Sequence, residues 1–246
     1  LDQTIMKKWY KFSLIGLFAV SFMSSLVINM PAWLMGTIIH RYSQNRLDII
    51  NERGSFWKGQ ALLIGEDASG KNAIPLMMVN WKIKLGISNF ININLSSSSQ
   101  TIANLDLTKN GLQLSKVNLS LSLDQLSPFL GNLNSLNLSG NVHVTADKLL
   151  AGKKMQGVIV VKLDDVGSGM SPVNPIGSYN VNFDLSSMGI NISSNPNSVI
   201  DVSGSGNVKS LVLNSKVQAD KKEKLLQFMT MTGVPQADGS YQMKAF

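Results

Sequence analysis

One short motif resembles a nucleotide-binding element. Residues 65–71 (Gly-Glu-Asp-Ala-Ser-Gly-Lys) match the first seven positions of a phosphate-binding loop and follow an apolar run at residues 61–64. The eighth position is Asn72, where such a loop needs a hydroxyl to hold magnesium, and Pro75 disfavours the helix that must follow. The motif therefore predicts a polar hairpin loop and no cofactor.

The other residues able to do chemistry are few. The chain has two histidines and no cysteine. His40 ends an apolar stretch, and His143 falls at a polar position of a predicted strand. Asp164 and Asp165 are adjacent, so their side chains point to opposite faces of a strand. Because no nucleophile, base and orienting group can be assembled, we predict no catalytic residue, no metal site, no enzymatic activity and no small-molecule substrate.

The overall charge is positive but dispersed. The formal net charge is +7, and three of the lysines (Lys7, Lys8 and Lys11) immediately precede an apolar stretch. No segment combines clustered arginines with regularly spaced aromatic residues, as single-strand binding requires. We therefore expect no nucleic-acid partner. Without cysteines, the fold must depend on packing and strand pairing.

Residues 12–39 form the longest apolar stretch and contain no Asp, Glu, Lys or Arg. About 18 to 20 such residues suffice for a transmembrane helix, so we predict a membrane anchor. The preceding lysines favour a cytoplasmic N-terminus. Trp9 and Trp33 flank the stretch, as expected of rings at the headgroup level, and Pro31 is expected to kink or end the helix.

A cleaved signal peptide is the alternative, but the apolar run is long for one and lacks a clear small-x-small cleavage site. The predicted organisation is a cytoplasmic tail (residues 1–11), a single-pass transmembrane anchor (12–39) and a β domain outside the cytoplasm (40–246).

Alternation of apolar and polar residues dominates the remainder. Trp81, Ile83 and Leu85 share one parity, and similar runs recur to residue 213, with Ser and Asn on the other face. The parity changes at Ser115 and Lys116, which predicts a turn or a bulge there. This pattern predicts a mainly β fold: one long, antiparallel, curved meander sheet with one or two short helices.

Connectors and helices complete this interpretation. Asn- and Gly-rich segments at residues 109–111, 195–197 and 204–207 predict hairpin turns. Residues 221–232 predict an amphipathic helix ended by Gly233, followed by a turn and a last strand near residue 241.

Two further motifs frame the β region. Residues 54–61 (Gly-Ser-Phe-Trp-Lys-Gly-Gln-Ala) place glycines around an aromatic pair, which suggests close backbone passage over a buried indole. Residues 233–241 read Gly-Val-Pro-Gln-Ala-Asp-Gly-Ser-Tyr. Together with the anchor and the Trp81 strand, these motifs resemble the type II secretion system protein N family. The matching residues are Gly54, Trp57, Gly59, Trp81, Gly233, Asp238, Gly239 and Tyr241.

This resemblance implies a bitopic protein of the inner membrane of Gram-negative bacteria, with residues 40–246 as a periplasmic β domain. It also implies an accessory or structural role in protein secretion. Its implied partners are other secretion-system components and inner-membrane lipid, and the family offers no catalytic residues. Exposed sheet edges suggest a homo-oligomer. The alternative function is an AsmA-like or bridge-type lipid-transfer protein, in which an apolar face of the sheet would hold acyl lipid.

Overall fold

The structure is a computed structural model that describes residues 3–66, 73–87, 89–126, 129 and 131–244, with residues 3–13, 131–133, 243 and 244 described by their backbone alone. Its helices are α1 (Gln3–Ile28), α2 (Trp33–Tyr42), α3 (Leu123–Leu126) and α4 (Lys222–Thr232). Its strands are β1 (Leu47–Gly54), β2 (Lys58–Glu66), β3 (Ala73–Leu85), β4 (Ile91–Ser97), β5 (Gln100–Thr108), β6 (Gly111–Ser122), β7 (Leu138–Ala151), β8 (Met155–Gln156), β9 (Val158–Ser168), β10 (Gly177–Asp184), β11 (Gly189–Ser194), β12 (Ile200–Asn207), β13 (Ser210–Val217), β14 (Val234–Pro235) and β15 (Tyr241–Lys244).

These strands form one antiparallel sheet within the described part of the chain, which confirms the predicted mainly β class. The order follows the sequence from β1 to β7 and from β9 to β13, as a meander requires. Two departures occur: β8 pairs only with the end of β7, and β15 lies between β13 and β14. Most neighbouring pairs along the chain are joined by short connections, which antiparallel pairing allows, whereas α3 lies in the longer connection from β6 to β7 and α4 in that from β13 to β14.

The register aligns the apolar residues on one face of the whole sheet. Leu121 lies opposite Val142, Val142 opposite Leu163, and Leu163 opposite Tyr179. Residues directly opposite each other share a face, so period-two alternation in each strand produces a continuous apolar surface. The opposite face carries mainly Ser, Asn and charged residues.

Hydrophobic packing on this face is concentrated at the two ends of the sheet. At the C-terminal end, Leu225, Phe228 and Met229 of α4 pack on strand residues, and Leu225 is fully buried. At the N-terminal end, a smaller cluster contains Ala32, Ile49, Ala61, Trp81 and Ile83. Between them the apolar residues of β4, β5 and β6 are less covered, with Leu107 and Leu112 exposed by 38% and 40%.

The predicted change of parity in β6 is confirmed. Lys116 has a φ of 53°, and the pairing with β7 passes from Ser115 opposite Lys148 to Val117 opposite Ala146 without a shift in register. One residue is passed over in each strand, so the change of parity is a local backbone irregularity at Lys116 and not a bulge, which would place two residues of one strand opposite one of the other. The predicted turn at residues 109–111 and helix at residues 221–232 are also confirmed, with Gly111 at a φ of 117° and α4 ending at Thr232.

The prediction of a hairpin turn at residues 204–207 is wrong. Gly204 and Gly206 lie inside β12, opposite Leu213 and Leu211 of β13. A Cβ atom at Gly204 would overlap the side chain of Leu213, and one at Gly206 would overlap the backbone of Ser210 and Leu211, so both glycines allow β13 to approach closely. The turn instead follows Asn207, whose side-chain oxygen accepts hydrogen bonds from the backbone of Lys209 and Ser210.

The apolar stretch at residues 12–39 is divided between two helices near Pro31, where a kink or helix end was expected. α1 ends at Ile28, and α2 starts at Trp33 after Pro31, whose missing amide proton suits a break. α2 packs on β1, where Gly36 is buried against Ile49 and Glu52. Among the residues that the structure describes, no helix has both the length and the hydropathy needed to cross a membrane.

Candidate functional site: the helix–sheet junction and two polar clefts

The buried indole of Trp81 organises the N-terminal end of the sheet. Trp81 is 4% exposed and lies directly opposite Gly59 of β2, where a Cβ atom would overlap the ring. The ring nitrogen donates hydrogen bonds to the backbone carbonyls of Ser55 and Phe56, at 3.3 and 2.9 Å. The predicted passage of backbone over an indole is therefore present, but the ring belongs to Trp81 and not to Trp57.

Trp57 instead connects the sheet to the N-terminal helix. Its indole nitrogen donates a 2.7 Å hydrogen bond to the carbonyl oxygen of Val27, in the last turn of α1. The backbone amide of Phe56 donates to the carbonyl of Met30 at 2.8 Å, and Pro31 forms an isolated bridge with Ser55. These contacts use carbonyls in the last turn of α1 and just after it, so the first hairpin holds the end of α1. The Val27 carbonyl also accepts from the amide of Met30 at 3.4 Å. We call this set of contacts the junction.

The tight turn of the first hairpin explains the other glycine of the motif. Gly54 has a φ of 97°, which side-chain-bearing residues rarely adopt, and it lies directly opposite Gly59. The turn is closed by the amide of Ser55, which donates to the carbonyl of Lys58 at 2.9 Å. The glycines at 54 and 59 therefore set the path that brings Trp57 to α1 and Trp81 under β2.

The C-terminal motif closes the larger hydrophobic cluster. Tyr241 is buried in the same cluster as Leu225 and Phe228 of α4. Gly239 has a φ of 80° in the turn that leads into β15, and the amide of Gln236 donates to the carbonyl of Ser240 at 2.8 Å. This arrangement folds the segment after α4 back along β13 and so covers the end of the sheet.

Asp238 stabilises that turn through its carboxylate. Its Oδ1 accepts hydrogen bonds from the backbone amide of Ser240 at 3.0 Å and from the Ser240 hydroxyl at 2.6 Å. The Ser240 hydroxyl, with its backbone amide, lowers the pKa of the Asp238 carboxyl. Because the folded pKa is below the unfolded one, this stabilisation is present above the unfolded pKa and is lost on acidification.

The polar face contains a basic cleft next to the junction. A cavity of about 440 Å³ is lined by Arg53, Lys58 and Lys82 together with neutral residues such as Asn80 and Asn94. Lys58 lies directly opposite Lys82, and Arg53 lies opposite Gln60. None of the described residues that line this cavity is acidic.

A second cleft lies at the other end of the polar face and has a different charge. A cavity of about 590 Å³ is lined by Asp201, Asp238 and Lys216, with neutral residues that include Ser203 and Asn214. Its walls combine β12 and β13 with the turn before β15. Both clefts therefore lie on the polar face of the sheet, but the charged residues of the first are all positive, whereas those of the second have a net negative charge.

Three strands bring together a serine, a histidine and an aspartate that sequence reasoning did not combine. Ser120 Oγ lies 2.8 Å from Nδ1 of His143, and Nε2 of His143 lies 3.8 Å from Asp164 Oδ2. The second distance is too long for the hydrogen bond that orients a catalytic base. His143 and Asp164 are also 44% and 42% exposed on a strand face. Strand register, which the sequence did not supply, is the signal that would have found them.

Several predicted residues lie where their side chains are not described. Lys7, Lys8, Trp9 and Lys11 lie in α1 within the part that is described by backbone alone. In the phosphate-loop motif, Gly65 and Glu66 end β2, and residues 67–72 lie outside the described residues. Trp33 is 58% exposed at the start of α2. Among the described residues, no group of three or more His, Cys, Asp or Glu could hold a metal ion.

These features define a class of protein: a single antiparallel sheet joined to an N-terminal apolar helix, with motifs that hold its ends. A scan of protein families matches type II secretion system (T2SS) protein N over residues 45–244. The chain therefore belongs to that family, as its motifs predicted, and it is a component of type II secretion, a protein-transport system of the cell envelope. Searches among curated proteins and among solved structures return no significant match.

Proposed function

We propose that this protein is a non-enzymatic, structural component of the type II secretion machinery, anchored in the inner membrane by α1, with its sheet in the periplasm. The observation behind this proposal is the junction, in which Trp57 holds the carbonyl of Val27 at the end of α1. A helix fixed to a sheet by its last turn can position that sheet at a constant place relative to the membrane. The role is therefore to present the sheet to other secretion components.

The composition and exposure of α1 support the anchoring part of the proposal. From Leu14 to Ile28 its residues are apolar or are Gly and Ser, and no charged residue occurs between positions 12 and 39. Phe18 and Leu17 are 72% and 70% exposed. In water such a surface is unfavourable at about 25 cal/mol per Å², whereas hydrocarbon accommodates it.

The absence of a competent triad supports a non-enzymatic role. Ser120 lies opposite His143 on an open strand face, Asp164 lies diagonally from His143, and Asp164 is too distant to orient the imidazole by a hydrogen bond. Family membership also gives no support to the lipid-transfer alternative. We therefore retain the secretion role alone.

Anchoring can be tested with charges placed in α1. The change Phe18→Lys with Phe22→Lys should release the protein from membranes washed with alkaline carbonate, because each lysine costs about 2.5–3.5 kcal/mol near the centre of a spanning helix. The matched control, Phe18→Leu with Phe22→Leu, should stay in the membrane pellet. Wild-type protein in the soluble fraction would contradict anchoring. An inactive alkaline phosphatase fused after residue 246 would contradict the periplasmic orientation.

The role of the anchor in secretion needs a separate experiment. Residues 7–26 can be replaced by a cleavable export signal, which leaves Val27 and the rest of the junction in place. We expect a soluble periplasmic sheet domain that does not restore secretion in a strain lacking the wild-type protein. Full secretion from this variant would show that the anchor is dispensable.

Self-association through sheet edges remains a prediction. One terminal strand, β14, has two residues and includes Pro235, which cannot donate a hydrogen bond. The other terminal strand, β1, already receives side-chain bonds at its start, where Ser43 Oγ accepts from Leu47 and Asp48 Oδ1 accepts from Ile49. We propose that any pairing uses the later part of β1. Replacing Glu52 with proline should then abolish a cross-linked dimer, whereas an unchanged dimer would exclude this edge.

A further inference from the structure

The three cations of the basic cleft are placed close together by the strand register. Lys58 of β2 lies directly opposite Lys82 of β3, and residues in that relation have Cβ atoms about 4.5–5.5 Å apart. Arg53 of β1 lies opposite Gln60, the next residue of β2 on the same face as Lys58. All three side chains are exposed on the polar face of the sheet.

These cations have no partner in the described part of the chain. Their side chains form no ion pair and no hydrogen bond among the described residues. The next row on this face contains Lys84, Asn92 and Asp106, but the Asp106 carboxylate already accepts hydrogen bonds from Asn89 and Asn92 at 3.0 and 2.7 Å. Like charges directly across a strand pair are destabilising, so this arrangement favours a bound anion.

The remaining lining of the cleft suits a phosphate group. Gln60 adds an amide group that can donate hydrogen bonds to anionic oxygens. Asn80 and Asn94 each use one N–H for Ser96 O and Asn104 Oδ1, at 3.4 and 2.6 Å, and keep a second N–H for a ligand. The cavity of about 440 Å³ has room for a headgroup-sized ligand. Lysine and arginine bind phosphate oxygens through charge-assisted hydrogen bonds, which are about twice as strong as neutral ones.

The position of the cleft indicates where the anion comes from. Lys58 follows Trp57, whose indole binds Val27 in the last turn of α1, so the cleft lies beside the end of the apolar helix. We propose that the basic cleft formed by Arg53, Lys58 and Lys82 binds the phosphodiester headgroup of an anionic phospholipid. This inference rests on the proposed anchoring of α1, which would place the cleft at the headgroup level. The bound lipid would orient the sheet on the membrane surface.

The test uses the full chain in a neutral detergent. Short-chain phosphatidylglycerol is titrated while the melting temperature is followed by intrinsic tryptophan fluorescence, with short-chain phosphatidylcholine as the neutral comparison. Phosphatidylglycerol should raise the melting temperature of the wild type, whereas phosphatidylcholine should not. In the variant Lys58→Gln with Lys82→Gln the apparent affinity should fall about tenfold, the usual effect of losing such contacts.

A charge-matched variant separates this cleft from general electrostatic attraction. Lys153→Gln with Lys154→Gln removes the same charge from the exposed turn between β7 and β8, and it should bind phosphatidylglycerol as the wild type does. Equal weakening of both variants, or unchanged binding by Lys58→Gln with Lys82→Gln, would overturn the proposal. An equal response to inorganic phosphate would also overturn it, since the cleft would then hold free anions.

Folding of the test variant has its own readout. Because Lys58 and Lys82 repel each other, their replacement by glutamine should raise the melting temperature without lipid by about 1–3 °C. A lower melting temperature of this variant would show that Lys58 and Lys82 have stabilising partners, which would contradict the inference. If wild-type protein fails the carbonate wash but still binds phosphatidylglycerol, the anchoring proposal alone is wrong.

Discussion

The two ends of the sheet are held in different ways. At the C-terminal end α4 inserts Leu225, Phe228 and Met229 into a large buried cluster, so packing dominates. At the N-terminal end the cluster is smaller, and the contact of Gly59 with Trp81 is supplemented by indole hydrogen bonds. One end is thus a conventional hydrophobic core, whereas the other is a junction that fixes a helix to a sheet.

The polar face repeats this contrast in charge. The cleft beside the junction has three cations, and the cleft at the far end has two aspartates and one lysine. A single sheet can therefore present two distinct surfaces while its other face remains apolar. The comparison shows that the N-terminal end joins a helix to the sheet, whereas the C-terminal end closes the fold.

The largest effect is expected from the C-terminal core. Leu225→Ala should lower the free energy of unfolding by about 2–5 kcal/mol, because Leu225 is fully buried and its truncation leaves a cavity. Leu226→Ala is the matched control in the same helix, since Leu226 is 51% exposed, and should change it by less than about 0.5 kcal/mol. Denaturant unfolding measures both. Similar losses in the two variants would disprove the assigned role of packing at this end.

A somewhat smaller effect is expected at Gly59. Gly59→Ala should destabilise the protein by about 1–3 kcal/mol, because the new methyl group overlaps the ring of Trp81 and the carbonyl of Arg53. Gly16→Ala in α1 is the control, since nothing lies within 4 Å of its added Cβ. The comparison uses thermal unfolding of the full chain in detergent. A neutral Gly59→Ala would show that the glycine–indole contact does not hold this end together.

Alkaline pH should distinguish the ends through Tyr179. Burial, with a smaller contribution from the charge of Asp201, raises the pKa of the Tyr179 hydroxyl. The pKa of Tyr179 is therefore higher in the folded protein than in the unfolded chain. The resulting contribution to the free energy of unfolding is present below about pH 10 and is lost above it, at about 1.4 kcal/mol per pH unit. Tyr179→Phe should flatten the decline in stability between pH 10 and 11. A decline of unchanged slope would exclude Tyr179 as its source.

The smallest global effect is expected at the junction. Trp57→Phe keeps an aromatic ring but removes the donor to Val27, which should cost about 0.5–1.5 kcal/mol. The loss should be local, so limited proteolysis between residues 27 and 46 should accelerate while unfolding of the sheet changes little. Trp33→Phe, an exposed indole nearby, is the control. If both variants and the wild type are cleaved at the same rate, the Trp57 hydrogen bond does not stabilise the junction.

Much of the fold followed from local patterns. Alternation in β3, β4 and β6 predicted their strands because a half-buried strand needs apolar residues at every second position. The change of parity at Lys116 was predictable for the same reason, but its form was not, because the positive φ of Lys116 makes the change while the register with β7 stays unbroken. Gly204 and Gly206 were misassigned because glycine marks both turns and close strand contacts, and only the register separates the two.

For the candidate site, the sequence indicated which types of residue take part but not which of them come into contact. The glycines and tryptophans of residues 54–81 indicated a close backbone–ring contact, but not which indole lies against Gly59. The basic cleft was not predicted, because Arg53, Lys58 and Lys82 are separated by turns and none belongs to a cluster in the sequence. The same holds for Ser120, His143 and Asp164, which come together across three strands.

By itself the sequence determined the mainly β class, the apolar stretch and the family, because these depend on periodicity, composition and motifs along the chain. The tertiary structure decided where the apolar stretch divides, which indole meets Gly59 and which charges share a cleft. Those properties depend on pairing between distant strands. A shift of one residue in register would move every side chain to the opposite face, and no local pattern specifies which strands are neighbours.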